Sequence, residues 1–182
     1  MKELEGKTLL DWANIKGIEP NTSNGAEMVI EAQLNGGASC VFHAMDEEDV
    51  RRIMKHPFTM VASDGRLVIP GDGHPHPRWY GTFPRVLGHY VRDQSILTLE
   101  EAIYKMTKLP AMSLGLNDRG ELKESMMADI VIFDPETVID LATFEEPHQY
   151  PVGIHHVIVN GKSAVKEGIF QNIRAGKVLR KQ

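Results

Sequence analysis

Between Ala38 and Ser63 two short apolar runs, ASCVFH and FTMVAS, flank a stretch, DEEDVRRIMKH, that carries the marks of a helix. Asp46 is placed to cap its first turn. Glu47, Glu48 and Asp49 follow it, and Arg51, Arg52 and Lys55 come later, the charge order a helix dipole favours. Pro57 ends the helix. Strand, helix, strand in succession predicts a parallel pair, because parallel neighbours need a crossover that antiparallel ones do not. This unit constrains the chain more than any motif does. Two parallel strands cannot close a barrel, which in its common form needs eight. Left open they present unpaired edges, so the α/β region reads as incomplete and self-association is expected.

Around this unit the periodicity predicts further elements. TLLDWANIKG (Thr8–Gly17) has a threonine start and a glycine stop, the pattern of a short helix. AEMVIEAQLNGG places Ala26, Ile30 and Leu34 on one helical stripe ended by Gly36-Gly37. TFPRVLGHYVRDQ can form a helix, and in TLEEAIYKMTKLP Thr98 and Glu101 make a capping box, Leu99, Ile103 and Met106 share a face, and Pro110 marks the stop. Beyond about Gly115 the period turns strand-like. ADIVIFD is an apolar β-branched run, and VIVNGKSAV has Asn160-Gly161 between two alternating segments, a strong hairpin signal. KEGIF and GKVLRK add short strand candidates. The division falls near residues 111–118: 1–114 as the βα region and 115–182 as a small all-β region.

Composition sets the functional bounds. Twenty basic against 25 acidic side chains, for a net charge of -5, give no positive field for a polyanion, so nucleic acid is not expected as a partner. No apolar run reaches the roughly 18 residues of a membrane span. One cysteine, Cys40, cannot build an intrachain disulfide framework. The start of the chain lacks the apolar core of a signal peptide, and a cytoplasmic setting is expected.

The stretch VASDGRLVIPGDGHPHPRWYGTFPR (Val61–Arg85) holds the candidate chemistry. Asp64 follows an apolar run expected to be a strand, and in parallel α/β folds side chains at strand C-termini line the active face. A carboxylate there can bind a metal or shuttle a proton; Asp-Gly is also ordinary turn chemistry. Arg78 can grip an anionic group through its bidentate fork, or serve as a surface ion pair. His74-Pro75-His76 has the form of a ligand pair, yet nothing in a Pro/Gly loop fixes both imidazoles, and solvated loop histidines are expected. Cys40 reads as a buried small hydrophobe within its strand. Ser63 lacks the Gly-x-Ser-x-Gly elbow of a hydrolase nucleophile, and His155-His156 reads as structural.

From SDG through HPHPRWYGTFPRVLGHYVRDQSILTLEEAIYKM to ADIVIFDP and VIVNGK, with GKTLLDWANIKG and MDEEDVRRIMKHPFTMVASDG before them, the sequence resembles the C-terminal part of the N-acyl-D-amino-acid deacylases, of the metal-dependent amidohydrolase superfamily. The resemblance covers nearly the whole chain. It implies the last strands and helices of a (β/α)8 barrel followed by a small β-sandwich portion, and zinc-dependent hydrolysis of the amide of N-acyl-D-amino acids. In that scheme Asp64 aligns with the aspartate that ends the last barrel strand. It takes a proton from a zinc-bound water and returns one to the departing amine. Arg78 matches an arginine on the loop over the site and is expected to bind substrate.

The family's zinc-holding H-x-H, its cysteine and its further histidines come from earlier strands. The resemblance therefore implies that His74, His76 and Cys40 are not those ligands, and that this chain alone assigns no metal residue. It implies the C-terminal portion of a deacylase, a natural truncation or an artificial one, and inactive by itself. A non-catalytic, self-associating module and another amidohydrolase chemistry, such as cyclic-amide hydrolysis, are the alternatives.

Overall fold

The computed structural model describes residues 4–37 and 39–180. Its architecture is mixed: six α-helices and a π-helical segment precede a four-stranded antiparallel sheet. Helix α1 (Leu9–Lys16) is capped by Thr8 in a capping box with Asp11 and stopped by Gly17 at φ 66°. Helix α2 (Thr22–Leu34) begins four residues before the stretch read from the sequence, because Asn21 accepts the Asn24 N–H and so supplies the cap. Helices α1 and α2 pack together, burying Ala13 of the first and Met28 and Ala32 of the second, while Ile30 and Leu34 of the expected stripe stay exposed.

Helix α3 (Glu47–Lys55) starts at the Asp46 cap as its charge order predicts. The two flanking strands are not formed. Residues 39–43 and 58–63 belong to no ladder (Ala38 lies outside the described residues), because a strand exists through its neighbour and neither run has one among the described residues. The second run is held instead by α5 (Leu99–Met106): the Val61 N–H donates to the Lys105 carbonyl at 3.1 Å. Cys40, read as buried in a strand, is exposed and outside any strand.

Helix α4 (Arg78–Arg85) runs directly into the π-helical segment Val86–Asp93. Pro84 cannot donate to the carbonyl one turn back, so the regular ladder is already interrupted where the wider turns begin. Gly81 and Gly88 let a loop from the β region press onto this rod. A Cβ on Gly81 would meet the Asp140 Cβ at 2.4 Å, and one on Gly88 would meet the Val138 carbonyl at the same distance. Helix α5 has the predicted Thr98/Glu101 capping box. Of the expected face Leu99 and Met106 pack against the core, while Ile103 turns outward and Ala102 and Lys105 are the buried residues. Thr107 breaks the helix and Pro110 is accommodated in the first turn of α6 (Lys108–Leu114), where backbone N–H groups lack helical partners anyway.

Strands β1 (Ile130–Phe133), β2 (Ile154–Val159), β3 (Lys162–Lys166) and β4 (Ile169–Phe170) pair in sequence order, all antiparallel. The β2–β3 turn has Asn160 at φ 48° and Gly161 at φ 77°, the two left-handed residues of a tight hairpin. GKVLRK forms no strand over its described residues 176–180; Lys181 lies outside them. An apolar core joins Val86, Leu87, Tyr90, Leu97 and Ala102 of the helical region to Val138, with Phe133 and Ile154 of the sheet packed against it. Val138 is fully buried, and that contact sets the β-region loop beside the segment carrying Asp64.

Candidate functional site

A broad open cleft of about 980 Å³ runs between α3, the segment Thr59–Asp64, the start of α4 and the loop Asp140–Glu145. Asp64 stands on its wall with its side chain largely exposed and its backbone at φ 45°. Ser63 fixes the turn that follows, its Oγ accepting the Gly65 N–H at 3.2 Å, which is a structural use of that hydroxyl. Arg78 reaches back across 14 residues of sequence and holds Asp64 twice. One terminal nitrogen lies 2.7 Å from the carboxylate, and Nε donates to the Asp64 carbonyl at 3.3 Å. The guanidinium thus stabilises both the carboxylate charge and the left-handed backbone. An aspartate tolerates that conformation better than most residues do.

Around the pair the charges alternate. Arg85 sits 3.3 Å from Asp140, whose side chain is buried. Thr82 donates to the Arg78 carbonyl at 2.9 Å and packs its hydroxyl near the Ser63 carbonyl, tying α4 to the Asp64 segment. The Nδ1 of His76 accepts the Arg78 N–H at 3.0 Å. Burial, and then the positive charge of Arg78, push the His76 pKa below its usual 6.5, against the opposing pull of Asp64. An unprotonated Nδ1 is what the Arg78 amide requires.

The two loop histidines are separated by their partners. His74 donates Nε2 to the Phe144 carbonyl, whereas His76 faces Arg78 and meets the Phe144 ring edge-on at 5.3 Å. They are bonded rather than merely solvated. His155 and His156 lie on β2. Among the described residues, no three histidine, cysteine, aspartate or glutamate side chains come together so as to hold a metal ion. What the arrangement offers is an accessible carboxylate, able to accept or deliver a proton, with a guanidinium beside it whose remaining N–H groups can meet an anion.

Sequence reasoning placed Asp64 and Arg78 in one stretch, and the structure puts them in contact. It did not find Asp140, Phe144 or His43, which stacks edge-on against Phe144 at 4.9 Å. No local pattern marks these residues; Asp140 and Phe144 line the cleft because the Val138 contact brings their loop there, and His43 meets that loop through Phe144.

The amidohydrolase family profile matches residues 13–165. A D-aminoacylase of Alcaligenes xylosoxydans xylosoxydans is 49% identical over 177 residues, which are 97% of this chain and 34% of that protein. An N-acyl-D-glutamate deacylase of the same organism is 48% identical over 86% of this chain and 31% of its own length. Among solved structures, a D-aminoacylase studied for its binuclear metal centre superposes with a TM-score of 0.86 at 44% identity, over 98% of this chain and 35% of that one. An N-acyl-D-glutamate deacylase of Bordetella bronchiseptica, complexed with zinc and a phosphonate mimic of the tetrahedral intermediate, superposes at 0.78 with 42% identity, over 96% of this chain and 34% of its own. The chain therefore spans about a third of the length of these relatives. With the profile matched across most of its length, the chain belongs to the amidohydrolase family.

Proposed function

We propose that this chain carries the proton-transfer and anion-binding part of a zinc-dependent hydrolase that cleaves N-acyl-D-amino acids to a D-amino acid and a carboxylate. The observation that carries this reading is the Asp64–Arg78 pair at 2.7 Å on the wall of an open cleft. It is supported by the likeness to D-aminoacylase and to a zinc-bound N-acyl-D-glutamate deacylase. Residues 1–114 are assigned to the C-terminal part of a (β/α)8 barrel and 115–182 to a small β-sandwich, in a cytoplasmic enzyme. Among the described residues no three histidine, cysteine, aspartate or glutamate side chains gather to hold a metal ion; in this reading the zinc ligands lie elsewhere and the chain alone is expected to be inactive.

In this reading the Asp64 carboxylate accepts a proton from the attacking water and passes one to the amine as the amide C–N bond breaks. Arg78, anchored on Asp64 through Nε and one terminal nitrogen, has its other terminal nitrogen to offer a substrate carboxylate. The chain alone should release no D-amino acid from N-acetyl-D-amino acids with zinc present. Joined to a relative's metal-binding portion it should do so, and Asp64→Asn should then lower kcat by about 10² to 10⁴-fold. Turnover by the isolated chain would overturn the division of labour, and full activity in Asp64→Asn would overturn the role of the carboxylate.

A further inference from the structure

Apart from the Asp64–Arg78 pair, one imidazole bonds the segment that leads to Arg78 on both its nitrogens, and α4 just beyond it. The Nδ1 of His148 accepts the Gly71 N–H at 3.3 Å and lies 3.0 Å from the Tyr80 hydroxyl. Its Nε2 lies 3.0 Å from the Gly73 carbonyl. A carbonyl can only accept, so the ring proton is on Nε2, and the lone pair on Nδ1 then receives both the Gly71 N–H and the Tyr80 O–H. The ring is wedged as well as bonded, since Tyr80 meets it edge-on at 5.8 Å and Tyr150 backs Tyr80 at 5.4 Å.

The loop needs a hold of this kind. Gly71 and Gly73 stand at φ 83° and 65° and have no side chains with which to pack. Ordering such residues costs more backbone entropy than ordering any other type. The ties therefore come from far along the chain. His148 bonds residues 75 and 77 positions earlier, and Phe144 of the same stretch takes His74 through its carbonyl. Directly after the tied residues come His76, whose ring accepts the Arg78 N–H, and then Arg78 itself.

We propose that His148 is a positioning residue: a latch that orders the Gly71–Pro77 loop and thereby holds Arg78 against Asp64. The proposal rests on the deacylase reading only in giving Arg78 a substrate to meet, and its test needs no turnover. In ¹H–¹⁵N spectra of the full chain, His148→Ala should speed exchange of the Gly71 amide by about tenfold or more. It should also broaden away the Arg78 Nε–H signal, while amides of the β2–β3 pairing keep their positions.

His148→Asn retains an acceptor near the place of Nδ1 and should restore Gly71 protection, a rescue that general loosening would not give. If His148→Ala fails to fold, Tyr80→Phe removes one of the ring's three bonds and should raise Gly71 exchange by about two- to fivefold. Unchanged Gly71 and Arg78 signals in His148→Ala, no rescue by asparagine, or no change in Tyr80→Phe would each overturn the latch. Dispensability of Asp64 in turnover would overturn the deacylase reading and leave these signals as they are.

Discussion

His76 shows how one residue couples the site to solution conditions. Its folded pKa lies below 6.5 because burial and the adjacent Arg78 disfavour the imidazolium more than Asp64 favours it. Above about pH 6.5 both folded and unfolded chains hold the ring neutral, and its contribution to stability is complete. As the pH falls below that value the unfolded chain takes up the proton first, so stability declines until the folded pKa is passed. The urea midpoint should therefore drop as the pH falls below about 6.5, and His76→Gln should flatten that slope. Identical slopes in the two proteins would rule out the coupling. Asp64 is the companion case: the sequence sets it in one stretch with Arg78, whereas neither their ion pair nor its φ of 45° is legible there. The sequence-based reading placed it at a strand end.

At the scale of elements, α5 acts as the post against which the Asp64 segment is fixed. Lys105 is 4% exposed, and its ammonium donates to the His56 and Thr59 carbonyls, 3.2 Å from the latter. The His56 carbonyl lies at the C-terminal end of α3, where a cation is favoured by the dipole. The Lys105 carbonyl takes the Val61 N–H, so one residue ties the end of α3 and the run toward Asp64 to the same helix. Lys105→Met keeps the stem and deletes the charge. It should cost about 2–3 kcal/mol in urea unfolding, the range expected when two carbonyls lose a charged donor. A loss below about 0.5 kcal/mol would mean that solvent replaces the ammonium. Simple periodicity grouped Leu99, Ile103 and Met106; Leu99 and Met106 do pack against the core, but the buried lysine was not anticipated, because an apolar residue is the default choice for the inside of a helix.

For the whole molecule, apolar side chains that the described fold leaves outside are the feature to test. Phe42, Phe58, Leu67 and Ile69 are each at least 72% exposed; the two phenylalanines lie in the runs that find no ladder partner, and Leu67 and Ile69 follow the second run. We expect the isolated chain to associate with copies of itself, seen as a concentration-dependent mass in size-exclusion chromatography with light scattering, and Leu67→Asp with Ile69→Lys to reduce that mass. A compact monomer at all concentrations would defeat this expectation. Elements governed by neighbouring residues could be read from the sequence alone: the Asp46 and Thr98 caps, the Gly17 stop, the Asn160-Gly161 hairpin, and the adjacency of Asp64 to a loop bearing Arg78. Each depends on dihedral preferences and hydrogen bonds spanning a few residues, which local sequence specifies. Tertiary structure decided the rest. Whether FTMVAS is a strand depends on a neighbour, and which face of α5 is buried depends on carbonyls almost 50 residues away. The arrival of Phe144 at the cleft, and of His148 at the Gly71–Gly73 loop, depends on Val138 filling the gap left by Gly88. These are long-range contacts, and no stretch of sequence carries the coordinates of its partner.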